Sequence, residues 1–251
     1  QQASSDINRY NSEFNPVALV HSPAVKGYVP VPAFAPVLTS GHVNEYLELL
    51  AGRGGQPMAQ VLESHPGVVT VQLPDRAVRP EVVRELVKAC RAGSSLRILY
   101  ASMKHPTPHE RVISPHTLVY TGFRWHVRAW CHNRQSYRDF LLSRIDRTPM
   151  AAEDLAPAAE NDSLWNERIA LSLVPNLRLT DLQKTLVERD FAMPEGRLQI
   201  TVRKALAHYT LQRYQAAITE DEASRVAEHP LQLLPADRSK LEPYLFSSEG
   251  A

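Results

Sequence analysis

Arg124, His126, Arg128 and Trp130 fall at every second position, so in an extended segment their side chains leave the chain on one side. A row of guanidinium, imidazole and indole groups suits a polyanion that also presents flat rings. Guanidinium forks onto phosphate oxygens and stacks on bases, and aromatic rings stack on bases as well. Tyr100, Arg111, Arg138 and Arg144 lie on neighbouring segments and extend the same row. Between Arg97 and Arg147 the chain places nine Lys and Arg against three Asp and Glu, and five of its ten His. That window is +6 in a chain that is +1 overall, which leaves −5 for everything else. Eight of the nine cations are arginine, and a surface built only for solubility would mix signs and avoid aromatics.

Other chemistries fit less well. His105 and His109 have i, i+4 spacing, but Pro106 and Pro108 exclude the helix that would bring them together. His126, Cys131 and His132 lack a fourth ligand at a usual interval. Cys90 and Cys131 form no CxxC pair and read as buried, reduced thiols. No G-x-S-x-G elbow is present, and Asp139 and Asp146 read as partners for arginine rather than catalytic acids. We therefore expect no metal, no cofactor and no enzyme. The histidines could tune ligand binding with pH.

The elements that must position these residues follow from periodicity. Residues 1–14 read as a helix with Ala3, Ile7, Tyr10 and Phe14 on its inner face, and Gln2, Ser5, Asn8 and Arg9 on its outer face. Two β-like runs, 17–20 and 26–29, flank a hairpin signal. A polar-faced helix followed by a hairpin is the back half of a winged helix-turn-helix, whose front half normally needs two more helices, so we expect a sequence truncated at its N-terminus. Residues 1–36 thus form a remnant of that module, and 37–78 a linker region with a helix capped by Ser40, a loop at 53–57 and a strand at 68–73. Helix 79–92 has Pro80 at its start and Gly93 at its end, with Val83, Leu86, Val87 and Cys90 on one face.

Strands are expected at 96–101, at 111–115 (ending at Pro115), at 123–131 and at 137–145, the last with a bend, a bulge or arginines at its rims. In the third, Phe123, Trp125, Val127, Ala129 and Cys131 should face the core. Several short antiparallel strands after one helix predict a small, partly open barrel over 79–147. A Pro-, Ala- and acid-rich linker (148–162) follows, then an α+β extension (163–251) with a capping box at Thr180 and Gln183. The fold class expected is α+β and multidomain. With 43% hydrophobic and 22% charged residues, no apolar run near bilayer length and no basic or apolar leader at its start, the chain reads as cytoplasmic.

Phe123-Arg124-Trp125-His126-Val127-Arg128-Ala129-Trp130-Cys131, followed by Arg138-Asp139-Phe140-Leu141-Leu142-Ser143-Arg144-Ile145, resembles a WYL domain. Arg111-x-Ile113-Ser114-Pro115-x-x-Leu118 fits the same pattern. The eponymous Trp-Tyr-Leu is here Trp125-His126-Val127, and with Arg128 after it this resembles the BrxR/CapW-like repressors found beside bacterial phage-defence systems. Residues 2–10 are similar to their recognition helix, and residues 176–180 and 202–206 to their C-terminal extension. The resemblance implies a winged helix-turn-helix, an Sm-like (SH3-type) β-barrel whose basic groove senses a nucleotide or oligonucleotide, and a dimerising extension. It assigns Tyr100, Arg111, His126, Arg128, Arg138, Ser143 and Arg144 to the ligand. Base reading would fall to Gln2, Ser5, Asn8 and Arg9, with Lys26 of the wing on phosphate.

The expected function is a homodimeric, ligand-responsive repressor that binds double-stranded operator DNA. The alternative is a single-stranded nucleic-acid-binding module without operator specificity, against which the helix and hairpin of residues 1–29 argue. On the leading expectation, Arg128 serves the ligand and its truncation leaves the fold intact.

Overall fold

The computed structural model describes residues 2–16, 18–35, 37, 77–155, 157 and 159–245. The chain divides into two compact units, Gln1–Leu73 and Pro74–Ala251.

In the first unit, helix α1 (Gln2–Arg9) runs into a π-helical turn, Tyr10–Phe14. Gln2, Ser5, Asn8 and Arg9 are exposed, while Ile7 and Tyr10 are half-buried. Phe14, expected on the inner face, is exposed. The wider π turn, closed by Asn15 N–H on Tyr10 C=O at 2.9 Å, rotates it away. Strands β1 (Leu19–Ser22) and β2 (Gly27–Pro30) form the expected hairpin, one or two positions later than the sequence pattern placed it. Lys26 closes its turn at φ +50°. The Asn11 side-chain amide ties helix to hairpin, donating to Leu19 C=O at 2.7 Å and accepting from Leu19 N–H at 3.1 Å. The helix expected after Ser40, the loop at 53–57 and the strand at 68–73 lie outside the described residues.

The second unit opens with α2 (Pro80–Ala92), started by Pro80 and stopped by Gly93 at φ +62°. Val82, Leu86 and Ala89 are its buried positions, with Val83 and Cys90 only packed at the edge, so the apolar face is rotated from the one expected. The helix covers an antiparallel sheet of β3 (Ser95–Tyr100), β4 (His109–Tyr120), β5 (Trp125–Cys131), β6 (Ser136–Leu141) and β7 (Met150–Ala152), in the order β6-β5-β4-β3-β7. Leu86, Ile98, Ile113, Val127, Ala129, Cys131 and Phe140 fill the space between them.

Four expectations change here. β4 does not end at Pro115. A bulge between Pro115 and Thr117 absorbs the missing N–H, and the ladder resumes with Thr117 opposite Arg128. β6 stops at Leu141, and a 3-10 turn (Leu142–Arg144) carries the chain to a single bridge between Ile145 and Tyr100, so the bend is the end of the strand. Among the described residues the five strands do not close into a continuous barrel. The stretch 148–162 is not simply a linker, since β7 within it pairs along β3.

Helix α3 (Ser163–Asn166) leads into a second, four-stranded sheet. It comprises β8 (Arg168–Pro175), β9 (Leu198–Arg203), β10 (Ala216–Ala217) and β11 (Leu231–Leu233), in the order β10-β11-β8-β9. Helices α4 (Asp181–Asp190), α5 (Ala207–Arg213), α6 (Glu220–Ser224) and α7 (Arg238–Leu241) complete the segment. The capping box expected at Thr180 and Gln183 is present at α4. Leu171, Leu173, Leu211, Leu231 and Leu241 form this core. The buried Asn176 amide donates to Ala223 and His229 carbonyls at 3.0 and 2.9 Å, which satisfies one carbonyl at the end of α6 and one in the loop after it.

Leu171 is fully buried in β8, so Leu171→Ala should cost about 2–5 kcal/mol. Leu155→Ala, at a position 96% exposed, should shift stability by less than about 0.5 kcal/mol. Urea denaturation followed by circular dichroism checks both, and equal losses would mean the core is drawn in the wrong place.

Candidate functional site

Both faces of β5 are covered, which the alternation of its sequence did not reveal. On the inner face Val127, Ala129 and Cys131 are fully buried. On the other face His126 is 9% exposed and Arg128 4% exposed, because residues 162–165 and α5 lie over them. Arg128 forks onto Asp162, with Nε donating to Oδ2 at 2.8 Å and Nη2 to Oδ1 at 3.0 Å. Its Nη1 reaches Oδ1 of Asp139, its cross-strand neighbour on β6, at 3.3 Å. The Tyr209 hydroxyl on α5 donates to the other oxygen of Asp139 at 3.2 Å.

Asp162 is also the N-cap of α3, accepting from Trp165 N–H at 3.2 Å. His116, the extra residue of the β4 bulge, places Nε2 at 3.2 Å from Asp162 Oδ2 and Nδ1 at 2.8 Å from the Thr117 hydroxyl. Edge-on ring contacts at 5.1–5.8 Å link His116 to Tyr137 and Trp165, and Tyr137 to Trp130. One buried cation is thus held by two carboxylates from different stretches of chain, inside an aromatic wall.

The electrostatics distinguish the two carboxylates. Burial would raise the Asp162 carboxyl, but hydrogen bonds from His116 and Arg128 outweigh it and hold the group down at about 2. For Asp139, burial prevails over Arg128 and the carboxyl is pushed up. Asp162, which receives the fork, is therefore the firmly ionised partner, and Asp139 is the first to protonate. Burial likewise pushes the Tyr209 phenol up, so it remains a donor. His126 is pushed down to about 4, first by burial and then by Arg124 and Arg144, and is neutral near pH 7.

Beside this network lies a basic rim. Within 4 Å, Arg124, Arg138 and Arg144 meet no carboxylate among the described residues. Arg138 Nε donates to Ser136 Oγ at 3.2 Å. Two buried polar atoms find no partner among the described residues, His126 Nδ1 and Arg111 Nε.

The expected ligand residues do not all share one surface. His126 and Arg128 lie on one face with Arg144 near His126, and Ser143 is exposed on the same turn as Arg144. Tyr100 is on the core side instead, buried against Phe140 at 5.1 Å, with its hydroxyl accepting from Leu141 N–H at 3.2 Å. It cannot present a stacking face. Arg111 is half-buried opposite Ile98, with Nη1 3.8 Å from Cys131 Sγ, and Arg138 is exposed opposite Ala129. Trp125, expected in the core, is 47% exposed. It is the terminal residue of the ladder and stacks obliquely on Tyr120 at 5.1 Å, beyond the reach of the core. Arg128 is not a surface side chain, so the expectation that its truncation leaves the fold intact is withdrawn. The sequence pattern missed Asp162, His116 and Tyr209. Asp162-Ser163 was legible as a helix start, but the linker composition around it hid that signal.

Among the described residues no group of three or more His, Cys, Asp or Glu is placed to hold a metal ion. Among them, too, no helix is long and apolar enough to cross a membrane.

Comparison with protein families matches three stretches of the chain, and Asp162 and α3 lie between two of them. Residues 1–52 match the winged helix-turn-helix domain of the BrxR transcriptional regulator, 81–150 the WYL domain, and 168–241 the C-terminal dimerization domain of BrxR. A Stenotrophomonas maltophilia protein described as the DNA-binding transcriptional repressor CapW is 36% identical over 84% of this chain and 71% of its own length. Proteins of the same description from Escherichia coli (strain KTE188) and Pseudomonas aeruginosa are 34% and 32% identical. These cover 90% and 96% of this chain, and 76% and 80% of their own lengths.

Stability should fall in two steps on acidification. His126 has its folded value depressed from 6.5 to about 4, so its contribution is complete above 6.5 and lost as pH falls through 4. Asp162 is depressed from 3.8 to about 2, so its contribution is complete above 3.8 and lost as pH falls through 2. His126→Phe should flatten the melting temperature between pH 6.5 and 4. Parallel curves for the parent and variant would remove His126 from the account. Arg128→Ala strands two buried carboxylates and should cost about 3–5 kcal/mol at neutral pH.

Proposed function

Because the chain belongs to the BrxR/CapW family of WYL-domain regulators, we propose that it is a DNA-binding transcriptional repressor rather than an enzyme. It works as a homodimer, responds to a nucleotide or oligonucleotide ligand and controls a phage-defence operon. The observation that carries the ligand reading is the arrangement around His126. Arg124 and Arg144 meet no carboxylate within 4 Å among the described residues, and they flank a buried neutral imidazole whose Nδ1 is unpartnered. Cations that meet no carboxylate among the described residues, next to an open hydrogen-bonding atom, favour an anionic group that also carries hydrogen-bonding capacity, as a nucleotide does. Arg138 and Ser143, both exposed, would engage further phosphate or sugar oxygens. Arg111 would enter from the rim, and Arg128 and Tyr100 would act from beneath by holding the sheet.

On the DNA side, Gln2, Ser5, Asn8 and Arg9 would meet base edges and phosphates from the exposed face of α1, and Lys26 would touch phosphate from the turn of the hairpin. Arg9 is engaged with Glu13 at 2.9 Å, but this exposed pair is worth under about 1 kcal/mol and yields readily to a phosphate. Signal transmission has a physical route. His126 packs on Tyr209 with ring centroids 5.0 Å apart, and Tyr209 holds Asp139 of the buried network. A ligand that reorients His126 therefore acts on the contact between the WYL sheet and the C-terminal segment, and through it on the spacing of two DNA-reading heads.

The test is fluorescence anisotropy with short labelled single-stranded oligonucleotides at two salt concentrations, beside footprinting on duplex DNA. Saturable binding should weaken with salt. Arg144→Ala should lower affinity and reduce the slope of log K against log salt by about 0.7 without moving the melting temperature. Salt-independent binding, or no effect of Arg144→Ala, would sink the ligand reading. Protection of single strands with no duplex footprint would favour a single-stranded nucleic-acid-binding module instead.

A further inference from the structure

Helix α4 turns Val187 into the core of the C-terminal segment and leaves a second apolar stripe outside. Leu182 is 83% exposed and Leu186 50%, and Leu177, just before the helix, is 55% exposed. Leu182, Thr185, Leu186 and Arg189 recur at i, i+3, i+4 and i+7, so they share one face, and all four are exposed. Single exposed leucines are ordinary, but neighbours on one short helix form a contiguous patch of the kind that marks an interface.

We propose that this face is a two-fold contact in which α4 packs antiparallel on α4 of a second copy of the chain. The inference rests on the homodimer reading above and names the surface that makes it. Two observations select a second copy as the occupant. The stripe lies within residues 168–241, the stretch that matches a dimerization domain. Its charges are also self-complementary. Asp181 stands at the N-terminal end of the helix and Arg189 near the C-terminal end. Within 4 Å, Arg189 meets no carboxylate among the described residues, and Asp181 holds only Lys184, at 3.4 Å.

The helix has ten residues and is about 15 Å long. A two-fold axis at its midpoint, Thr185, sets Arg189 of each copy beside Asp181 of the other and stacks Leu182 and Leu186 across the axis. An isologous contact requires the same patch on both subunits, and this patch satisfies that condition with both its apolar and its charged residues. A parallel arrangement would set like charges together.

The test is sedimentation velocity on the full chain. The parent should be a dimer at micromolar concentration. Leu186→Asp should raise the dimer dissociation constant by more than about thirtyfold while far-ultraviolet circular dichroism stays unchanged. Thr185→Cys should cross-link two chains on oxidation, whereas the parent, whose Cys90 and Cys131 are half-buried and buried, should not. Arg189→Asp should weaken the dimer, and adding Asp181→Arg should restore it. A dimer that tolerates Leu186→Asp and yields no Thr185→Cys cross-link would overturn the α4 contact while leaving the homodimer in place. A monomeric parent would overturn both.

Discussion

Arg128 carries a permanent positive charge at a position 4% exposed to solvent, a situation tolerable only with close, well-formed partners. Its partners come from separate stretches of chain, Asp139 on β6 and Asp162 after β7, while Tyr209 on α5 holds Asp139. No single segment can satisfy it. The strand pairing supplies Asp139 automatically, since the two residues face each other across the β5–β6 ladder. Asp162 arrives only if the chain returns over the outer face of the sheet, and its capping of α3 then directs the backbone into the second sheet. The bulge at Pro115 belongs to the same solution, because it swings His116 into line with Asp162. One desolvated guanidinium therefore fixes how the WYL sheet, the connecting stretch and the C-terminal segment are joined.

Periodicity made the local pieces legible. The 13-residue helix bounded by Pro80 and Gly93, the inward set Val127, Ala129 and Cys131, and the capping box at Thr180 follow from nearest-neighbour rules and appear in the fold. What periodicity could not supply was the identity of the cover on each face. His126 and Arg128 read as outward because their parity is opposite to the core, yet the opposite face is packed as well. Trp125 fails for the complementary reason: it has core parity, but the sheet ends there. Parity gives direction from the sheet, while burial depends on what distant sequence is laid over it. Asp162 was obscured by the same limit, since a buried anchor within a Pro- and Ala-rich stretch differs from a solvated acid only through its partners.

The local excess of positive charge acquires a division of labour in three dimensions. Arg128 is neutralised internally and serves the joint, and Asp146 stands 3.6 Å from Arg79 at an exposed site where such a pair contributes little. Arg124, Arg138 and Arg144 meet no such acids among the described residues, and Arg124 and Arg144 press on His126 strongly enough to help keep it neutral. An anion arriving beside them would relieve that pressure and favour protonation of the imidazole. If the proposed ligand binds there, its binding and His126 protonation would be linked with the same sign, which would give this histidine a role that simple burial would not.

The magnitudes bear on whether such a joint can transmit a signal. Breaking the Arg128 fork would cost about 3–5 kcal/mol, more than the about 1–3 kcal/mol typical of coupling between sites. A ligand therefore does not need to break the fork, and a mechanism that required it would be too expensive. The longer contacts are the ones within range. Arg128 Nη1 lies 3.3 Å from Asp139, and the Tyr209 hydroxyl lies 3.2 Å from the same carboxylate. Asp139 is the carboxylate whose charge burial disfavours, and Tyr209 is the ring that packs on His126. The adjustable part of the network and the histidine beside the basic rim thus meet in a single side chain, Tyr209, while the fork onto Asp162 holds the architecture constant.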